Sequence, residues 1–171
     1  MIHLLYVDDD QDICTIIATF CERIGAFSVK SLNSGEAALD WLRTASPDVI
    51  VSDYSMPGGM NGMRFLEELR SRGNTTPFIF FSATEDLEVK KEAYREGAFS
   101  FICKTPSGKI PIYQLIRAVG WAVARTSPEP GKRQNPGKKW YMKHQTHESP
   151  GIPAAVKKMK FAKNPDRDGN G

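Results

Sequence analysis

The chain has few cysteines and no long hydrophobic run, and both shortages limit the classes of protein to which it can belong. Its cysteines, Cys14, Cys21 and Cys103, have neither CxxC spacing nor a disulfide-framework pattern, so we predict reduced core thiols. No positively charged leader precedes an apolar stretch, and Asp8 to Asp10 end the first apolar run well short of a membrane-spanning length. These absences predict a cytoplasmic protein with no transmembrane segment.

The chain also lacks a second segment whose length and composition would suit a folded domain. Its 171 residues suffice for one well-buried domain and are few for two. Residues 1–125 contain 13 Lys/Arg and 16 Asp/Glu, a net charge of −3, whereas residues 126–171 contain 10 and 4, a net charge of +6. Hydrophobic periodicity stops at Thr126, and Pro, Gly and Lys follow. We therefore predict one domain over 1–125 and a basic, largely disordered tail over 126–171, with no evident DNA-binding motif.

Short apolar runs in the domain each end at a polar residue. The runs and the residues that follow them are Leu4 to Val7 before Asp8, Val49 to Ser52 before Asp53, Phe78 to Phe81 before Ser82, and Phe99 to Cys103 before Lys104. Bounded runs rich in β-branched and aromatic residues predict buried parallel strands. Since polar residues just past such strands gather at the carboxyl edge of an open sheet, we expect acids, a hydroxyl and an ammonium group in one crevice.

Helical patterns separate these strands. Ile13, Ile16, Ile17, Phe20 and Ile24 share one helical face, and Gly25 is placed to end that helix. Further helices are predicted at Glu36 to Arg43 after an N-cap at Ser34, around Phe65 to Leu69 before Gly73, at Glu85 to Glu96, and at Ile112 to Val123. The alternation predicts an α/β fold, a doubly wound five-stranded parallel sheet with helices on both faces.

The acids of the crevice predict a metal site. Asp8, Asp9 and Asp53 would repel one another there unless a cation neutralised them. Oxygen ligands with room for water suit Mg²⁺. Asp10 is predicted instead to cap the first helix, because acids favour helix N-termini.

The ordered set of motifs resembles a known family. Val7-Asp8-Asp9-Asp10, Ser52 to Gly58, Phe81-Ser82-Ala83 and Phe101 to Lys104 are similar to a receiver domain of the two-component response regulators, chemotaxis-regulator-like, across about residues 1–125. The resemblance implies a flavodoxin-like (βα)5 fold with strand order 2-1-3-4-5. It also implies a stand-alone signalling protein that accepts a phosphoryl group from a sensor histidine kinase or phosphotransfer protein and acts on an output protein.

The same resemblance assigns roles to individual residues. Asp53 would accept the phosphoryl group, and Lys104 and Ser82 would contact its oxygens. Mg²⁺ would be bound directly by Asp9 and Asp53, through water by Asp8, and by the backbone carbonyl of Ser55. Ser82 and Phe101 would switch a face made of the fourth helix, fifth strand and fifth helix, through which a dimer is also expected.

The sequence departs from the family in two places and leaves two alternatives open. The order Lys104-Thr105-Pro106 displaces the usual proline, so whether a cis bond follows Lys104 is undecided. The loop from Met56 to Gly62 is one residue longer than is common. A haloacid-dehalogenase-like phosphatase is one alternative, because Asp8 and Asp10 form a DxD after the first strand, although Asp12 stands where Thr or Val is expected. The other is a docking module that is never phosphorylated.

Overall fold

The computed structural model describes residues 1–104 and 111–126. The peptide bonds around Thr105 and Pro106, and the predicted tail beyond Thr126, lie outside these residues and stay predictions. The strands are β1 (Ile2–Val7), β2 (Phe27–Leu32), β3 (Val49–Ser52), β4 (Phe78–Ser82) and β5 (Ser100–Cys103). The helices are α1 (Gln11–Arg23), α2 (Gly35–Trp41), α3 (Gly62–Ser71), α4 (Leu87–Arg95) and α5 (Ile112–Thr126).

The described strands form one parallel sheet in the order β2-β1-β3-β4-β5. This confirms the predicted doubly wound α/β fold and its strand order. Strands β3 and β4 and the part of β1 from Leu4 to Val7 are buried, because helices cover both faces of the sheet. The register aligns Val7 with Ser52, and Ser82 with Cys103, so the ends of neighbouring strands lie side by side.

Two hydrophobic cores fill the space between sheet and helices. One lies under α1 and α5 and includes Tyr6, Ile17, Phe81 and Leu115. The other lies under α2, α3 and α4, and aromatic contacts among its rings join Phe65 to Phe78 and Phe78 to Phe80. Alternate residues of a strand point to opposite faces, so each buried strand contributes to both cores.

Local signals for the helix ends are mostly confirmed. Asp10 caps α1, where its carboxylate accepts from the Asp12 and Ile13 amides, and the Ser34 hydroxyl accepts from Ala37 in α2. The glycines after α1, α3 and α4 have the positive φ that ends a helix cleanly.

Two details differ from the sequence prediction. Ile16 is 48% exposed and lies outside the buried face of α1, whose core residues are Cys14, Ile17 and Cys21. The fourth helix is shorter than predicted, since Asp86 serves as its cap by accepting from the Glu88 amide. All three cysteines are free, as predicted. In the part of the chain that the structure describes, the helices are too short or too polar to cross a membrane.

Candidate functional site

Backbone hydrogen bonds between strand ends assemble the site. The Asp53 amide donates to the Val7 carbonyl at 2.8 Å, and the Lys104 amide donates to the Ser82 carbonyl at 2.7 Å. The first bond sets the end of β3 beside β1, and the second sets the end of β5 beside β4. The carboxyl edge therefore brings together the acids, the hydroxyl and the lysine that the sequence placed there.

The acids form a compact oxygen cluster. One carboxylate oxygen from each of Asp8, Asp9 and Asp53 lies within 4.8 Å of the others. Asp8 and Asp53 are buried, whereas Asp9 is exposed, so the cluster opens to solvent on one side. A hard cation such as Mg²⁺ accepts a donor set of this kind, because it prefers carboxylate oxygens and retains water ligands.

Lys104 partly neutralises the cluster. Its Nζ donates to Asp8 Oδ2 at 2.7 Å and lies 3.5 Å from Asp53 Oδ2. The lysine side chain is 14% exposed, and its ammonium lies 5.7 Å from the centre of the Phe81 ring. The ammonium is therefore held mainly by Asp8 and is within reach of Asp53.

Burial works against the charged form of Asp53. Removal from water raises the pKa of Asp53 above its ordinary value, and the nearby Asp8 charge acts in the same direction. Lys104, the Ser82 hydroxyl and the Tyr54 amide oppose this pKa rise, the amide by donating to Asp53 Oδ1 at 2.7 Å. A further positive charge beside Asp53 would act in the same direction as Lys104 and lower this pKa.

Sequence reasoning missed one contact of the site. The apolar run from Leu4 to Val7 predicts only a buried strand, yet the hydroxyl of Tyr6 donates to Asp8 Oδ2 at 2.8 Å. Burial raises the pKa of Tyr6 well above its ordinary value, so the phenol keeps the proton that it donates. The spacing was the available signal, because residues i and i+2 of a strand lie on the same face.

The other predicted residues lie around the cluster. Ser82 is buried at the end of β4, and its Oγ accepts from the Thr84 amide at 3.4 Å. Ser55 is exposed in the loop after β3. Phe101 is half-buried, with its ring stacked on Phe80 at 5.3 Å between centroids. The metal-binding role of Ser55 and the switch role of Phe101 stay predictions.

The loop after Asp53 is held at both ends. Glu36 accepts from the Met60 amide at 2.7 Å, and the Gly62 amide donates to the Tyr54 carbonyl at 2.9 Å. A Cβ atom on Gly62 would collide with the carbonyl oxygen of Asp53. Glycine at the start of α3 thus permits that helix to approach the backbone of Asp53 directly, a second feature that sequence reasoning missed.

The comparisons agree with this geometry. Residues 4–115 match the response regulator receiver domain family. The chain therefore belongs to that family, whose members are phosphoryl-accepting signalling domains of two-component systems.

Curated relatives include longer regulators. The chain is 37% identical over 98 residues to the DNA-binding transcriptional regulator NtrC of Klebsiella pneumoniae, a match covering 57% of this chain and 20% of the relative. It is 34% identical over 101 residues to the Regulator of RpoS of Escherichia coli K12, covering 59% and 29% respectively. The chain thus spans less than a third of the length of these relatives.

Solved receiver domains share the fold. The receiver domain of the Francisella response regulator 1452 is 32% identical with a TM-score of 0.68, and the match covers 74% of this chain and all of that one. The chemotaxis response regulator CheY4 of Vibrio cholerae is 26% identical with a TM-score of 0.60, covering 70% and 98%.

Proposed function

We propose that Asp53 accepts a phosphoryl group from the phosphohistidine of a sensor kinase or phosphotransfer protein. The observation that carries the proposal is a buried Asp53 carboxylate within 3.5 Å of the Lys104 ammonium and clustered with Asp8 and Asp9. In this reading, residues 1–125 form the receiver unit, which works in the cytoplasm, and residues 126–171 form an appended tail.

The transfer step needs little covalent machinery. A carboxylate oxygen of Asp53 bonds to phosphorus while the phosphorus–nitrogen bond breaks, and the imidazole leaves with that electron pair. Such loose transfers depend mainly on positioning and charge neutralisation. Lys104 turns from Asp8 toward a phosphoryl oxygen, and the Ser82 hydroxyl donates to another.

The donor set fits Mg²⁺, which Asp9, Asp53 and the Ser55 carbonyl would hold directly and Asp8 through water. When bound, Mg²⁺ supplies positive charge that neutralises the acids and the phosphoryl oxygens. Asp9 is the most open of the acids and is suited to receive the ion from solvent. Asp53 gains from it, because burial and the nearby Asp8 charge both disfavour its negative charge.

The readout is a change in the face formed by α4, β5 and α5. Movement of Ser82 toward the phosphoryl group frees space, and Phe101 responds by turning inward from its present half-buried position. This face binds the output protein, and it is the surface through which we expect two copies to dimerise. The chain assists its own phosphorylation and dephosphorylation and does not turn over a separate substrate.

The phosphatase alternative is disfavoured by the contacts of Asp10. A haloacid-dehalogenase-like mechanism needs that carboxylate in the reaction, whereas both amides that begin α1, those of Asp12 and Ile13, donate to it. Rotation toward the crevice would remove the cap from α1, at a typical cost of about 1 kcal/mol.

Intact-mass spectrometry of the full chain with acetyl phosphate and Mg²⁺ tests the proposal. We expect a single adduct of one phosphoryl group in wild type, and none in Asp53→Asn or with excess EDTA. Asp9→Asn should slow adduct formation strongly, because it removes a cation ligand. Asp10→Asn is the matched control, since asparagine still caps a helix and should leave labelling unchanged.

Two outcomes would contradict the proposal. One is wild type that forms no adduct and fails to bind beryllofluoride, which would support the docking module. The other is labelling that persists in Asp53→Asn, which would place the acceptor elsewhere. Hydrolysis of a generic phosphate ester that depends on Asp8 and Asp10 would support the phosphatase.

A further inference from the structure

We propose that Tyr6 is a positioning residue that orients the Asp8 carboxylate for cation binding. The inference rests on the proposed function only in taking the acidic cluster as the cation site. Tyr6 is completely buried, and its ring packs in the core under α1 and α5. Its hydroxyl is the one polar group of a side chain otherwise surrounded by apolar residues, and it points to the carboxyl edge of the sheet, where it meets Asp8 Oδ2.

The hydrogen bonds of Asp8 distinguish its two oxygens. Oδ2 accepts from the Tyr6 hydroxyl at 2.8 Å and from Lys104 Nζ at 2.7 Å, which occupies both of its lone pairs. Oδ1 accepts from the Asp10 amide at 3.1 Å. Among the described residues, Oδ1 therefore keeps a lone pair for a cation or for water bound to it. Tyr6 and Lys104 together hold Oδ2, and this fixes the orientation of the carboxylate and so the position of Oδ1.

Tyr6 and Lys104 are not equivalent in this arrangement. Lys104 is a flexible side chain that can leave Asp8 for Asp53 or for a phosphoryl oxygen, whereas the ring of Tyr6 is fixed by packing. When Lys104 departs, Tyr6 is the donor that still holds Oδ2. Asp8 therefore keeps its orientation through the step in which its lysine partner is exchanged.

A hydrogen bond to a metal-binding carboxylate affects the affinity for the metal. Loss of such an outer contact typically weakens metal binding 10-fold to 100-fold. Since Asp8 is also held by Lys104 and the Asp10 amide, we expect Tyr6→Phe to weaken divalent cation binding about tenfold, at the lower end of this range.

Mn²⁺ binding to the full chain tests the inference. Mn²⁺ accepts the same oxygen ligands as Mg²⁺, and electron paramagnetic resonance measures its free concentration directly. Tyr6→Phe keeps the buried ring and removes only the hydroxyl. The matched control is Tyr94→Phe, which removes a phenol hydroxyl that contacts the Phe101 amide, and which should bind Mn²⁺ as wild type does.

A second readout separates positioning from folding. In EDTA, the carboxyl ¹³C resonance of Asp8 should shift in Tyr6→Phe while that of Asp10 is unchanged. Mn²⁺ binding is measured below the unfolding temperature of each variant. A dissociation constant within twofold of wild type, or an unchanged Asp8 resonance, would overturn the inference, as would absence of Mn²⁺ binding by wild type.

The outcome is distinguishable from that of the proposed function. Acetyl phosphate labelling of wild type is run in parallel. No phosphoryl adduct together with a tenfold change in Mn²⁺ affinity would reject phosphoryl acceptance and support Tyr6 as a positioning residue. An Asp53 adduct together with unchanged Mn²⁺ affinity in Tyr6→Phe would support phosphoryl acceptance and reject Tyr6 as a positioning residue.

Discussion

Two helices on the same face of the sheet, α3 and α4, are attached to it very differently. Five residues of α3 are buried, namely Gly62, Met63, Phe65, Leu66 and Leu69, whereas in α4 only Ala93 is buried. The start of α3 touches the backbone of Asp53 at Gly62. The start of α4 is open to solvent, with Leu87 68% exposed.

Under the proposed function, the side of the site packed by α3 carries phosphoryl transfer and the side packed by α4 carries the response. Elements with few buried apolar contacts open at lower free energy than elements that form the core. The Asp53 side of the site is thus held rigidly by α3, and the Phe101 side lies against a helix with little to hold it. Under the proposed function, this asymmetry keeps Asp53 in place while the face formed by α4, β5 and α5 changes.

Gly62→Ala disturbs the contact between α3 and the backbone of Asp53, and we expect it to have the largest effect. The new methyl group meets the Asp53 carbonyl, which a buried strand end cannot move aside. We expect a loss of about 3 kcal/mol in the free energy of unfolding, measured by urea denaturation, together with slower labelling by acetyl phosphate.

Gly35→Ala is the matched control for this substitution. Gly35 begins α2 as Gly62 begins α3, but the three atoms nearest to its new methyl group belong to the side chain of Met60, at 3.2–3.3 Å, and not to backbone. Because Met60 can shift, the cost should be about 1 kcal/mol or less, well below that of Gly62→Ala. Equal losses in the two variants would show that α3 is not specially anchored.

Asp53→Asn should increase the free energy of unfolding in the absence of divalent cations. The buried charge is removed while Lys104 keeps Asp8 as its partner, so relief of the desolvation of Asp53 should raise the free energy of unfolding by about 1–2 kcal/mol. Urea unfolding in EDTA at pH 7 measures the gain. Mg²⁺ should reduce the difference, because the ion stabilises wild type and binds the variant poorly.

The pH dependence follows from the raised pKa of Asp53. Folding favours the protonated carboxyl, so its contribution to wild-type stability is fully present below the unfolded pKa of about 3.9 and is lost as pH rises through the folded pKa. The advantage of Asp53→Asn should therefore vanish near pH 3.5 and grow toward neutrality. An advantage that grows as pH falls would contradict the assigned direction.

Tyr94→Phe tests how firmly α4 is attached to β5. The Tyr94 hydroxyl of α4 accepts from the Phe101 amide at 3.2 Å, on the outer edge of β5, which pairs only with β4 in the described sheet. Its removal should cost about 1 kcal/mol and speed hydrogen exchange of the Phe101 amide. Exchange of the α3 amides is the internal control and should not change. Uniform acceleration in both helices would argue that they open as one unit.

The sheet and its acidic edge were predictable because both depend on local sequence. Apolar runs predict the strands, and the end of each run places a polar residue at the same edge of the sheet, namely Asp8, Asp53, Ser82 and Lys104. This placement does not depend on how the helices pack. The caps at Asp10 and Ser34 are equally local, since the side chain bonds to amides two or three residues ahead.

The rest depended on distances between elements. The contact of Gly62 with the Asp53 carbonyl requires the approach angle of α3, which no pattern in the sequence gives. Hydrophobic periodicity places Ile16 on the core face of α1, but it does not give the width of that face, and Ile16 lies at its exposed margin. The hydroxyl of Tyr6 could have been paired with Asp8 by strand alternation, but only once their strand was known to end there.

Surface ion pairs should show the smallest effects and no difference between the two helices. Glu68 accepts from Arg72 at 2.6 Å at the end of α3, and Glu88 accepts from Lys91 at 2.6 Å in α4. These side chains are at least 41% exposed, so water screens both pairs. Double-mutant cycles with glutamine replacements should give coupling energies of about 0.3–0.5 kcal/mol in each helix. Because the pairs are alike, they cannot account for the weak attachment of α4, which we ascribe to its single buried residue. A coupling energy above about 1 kcal/mol in α3 alone would assign part of the asymmetry to charge.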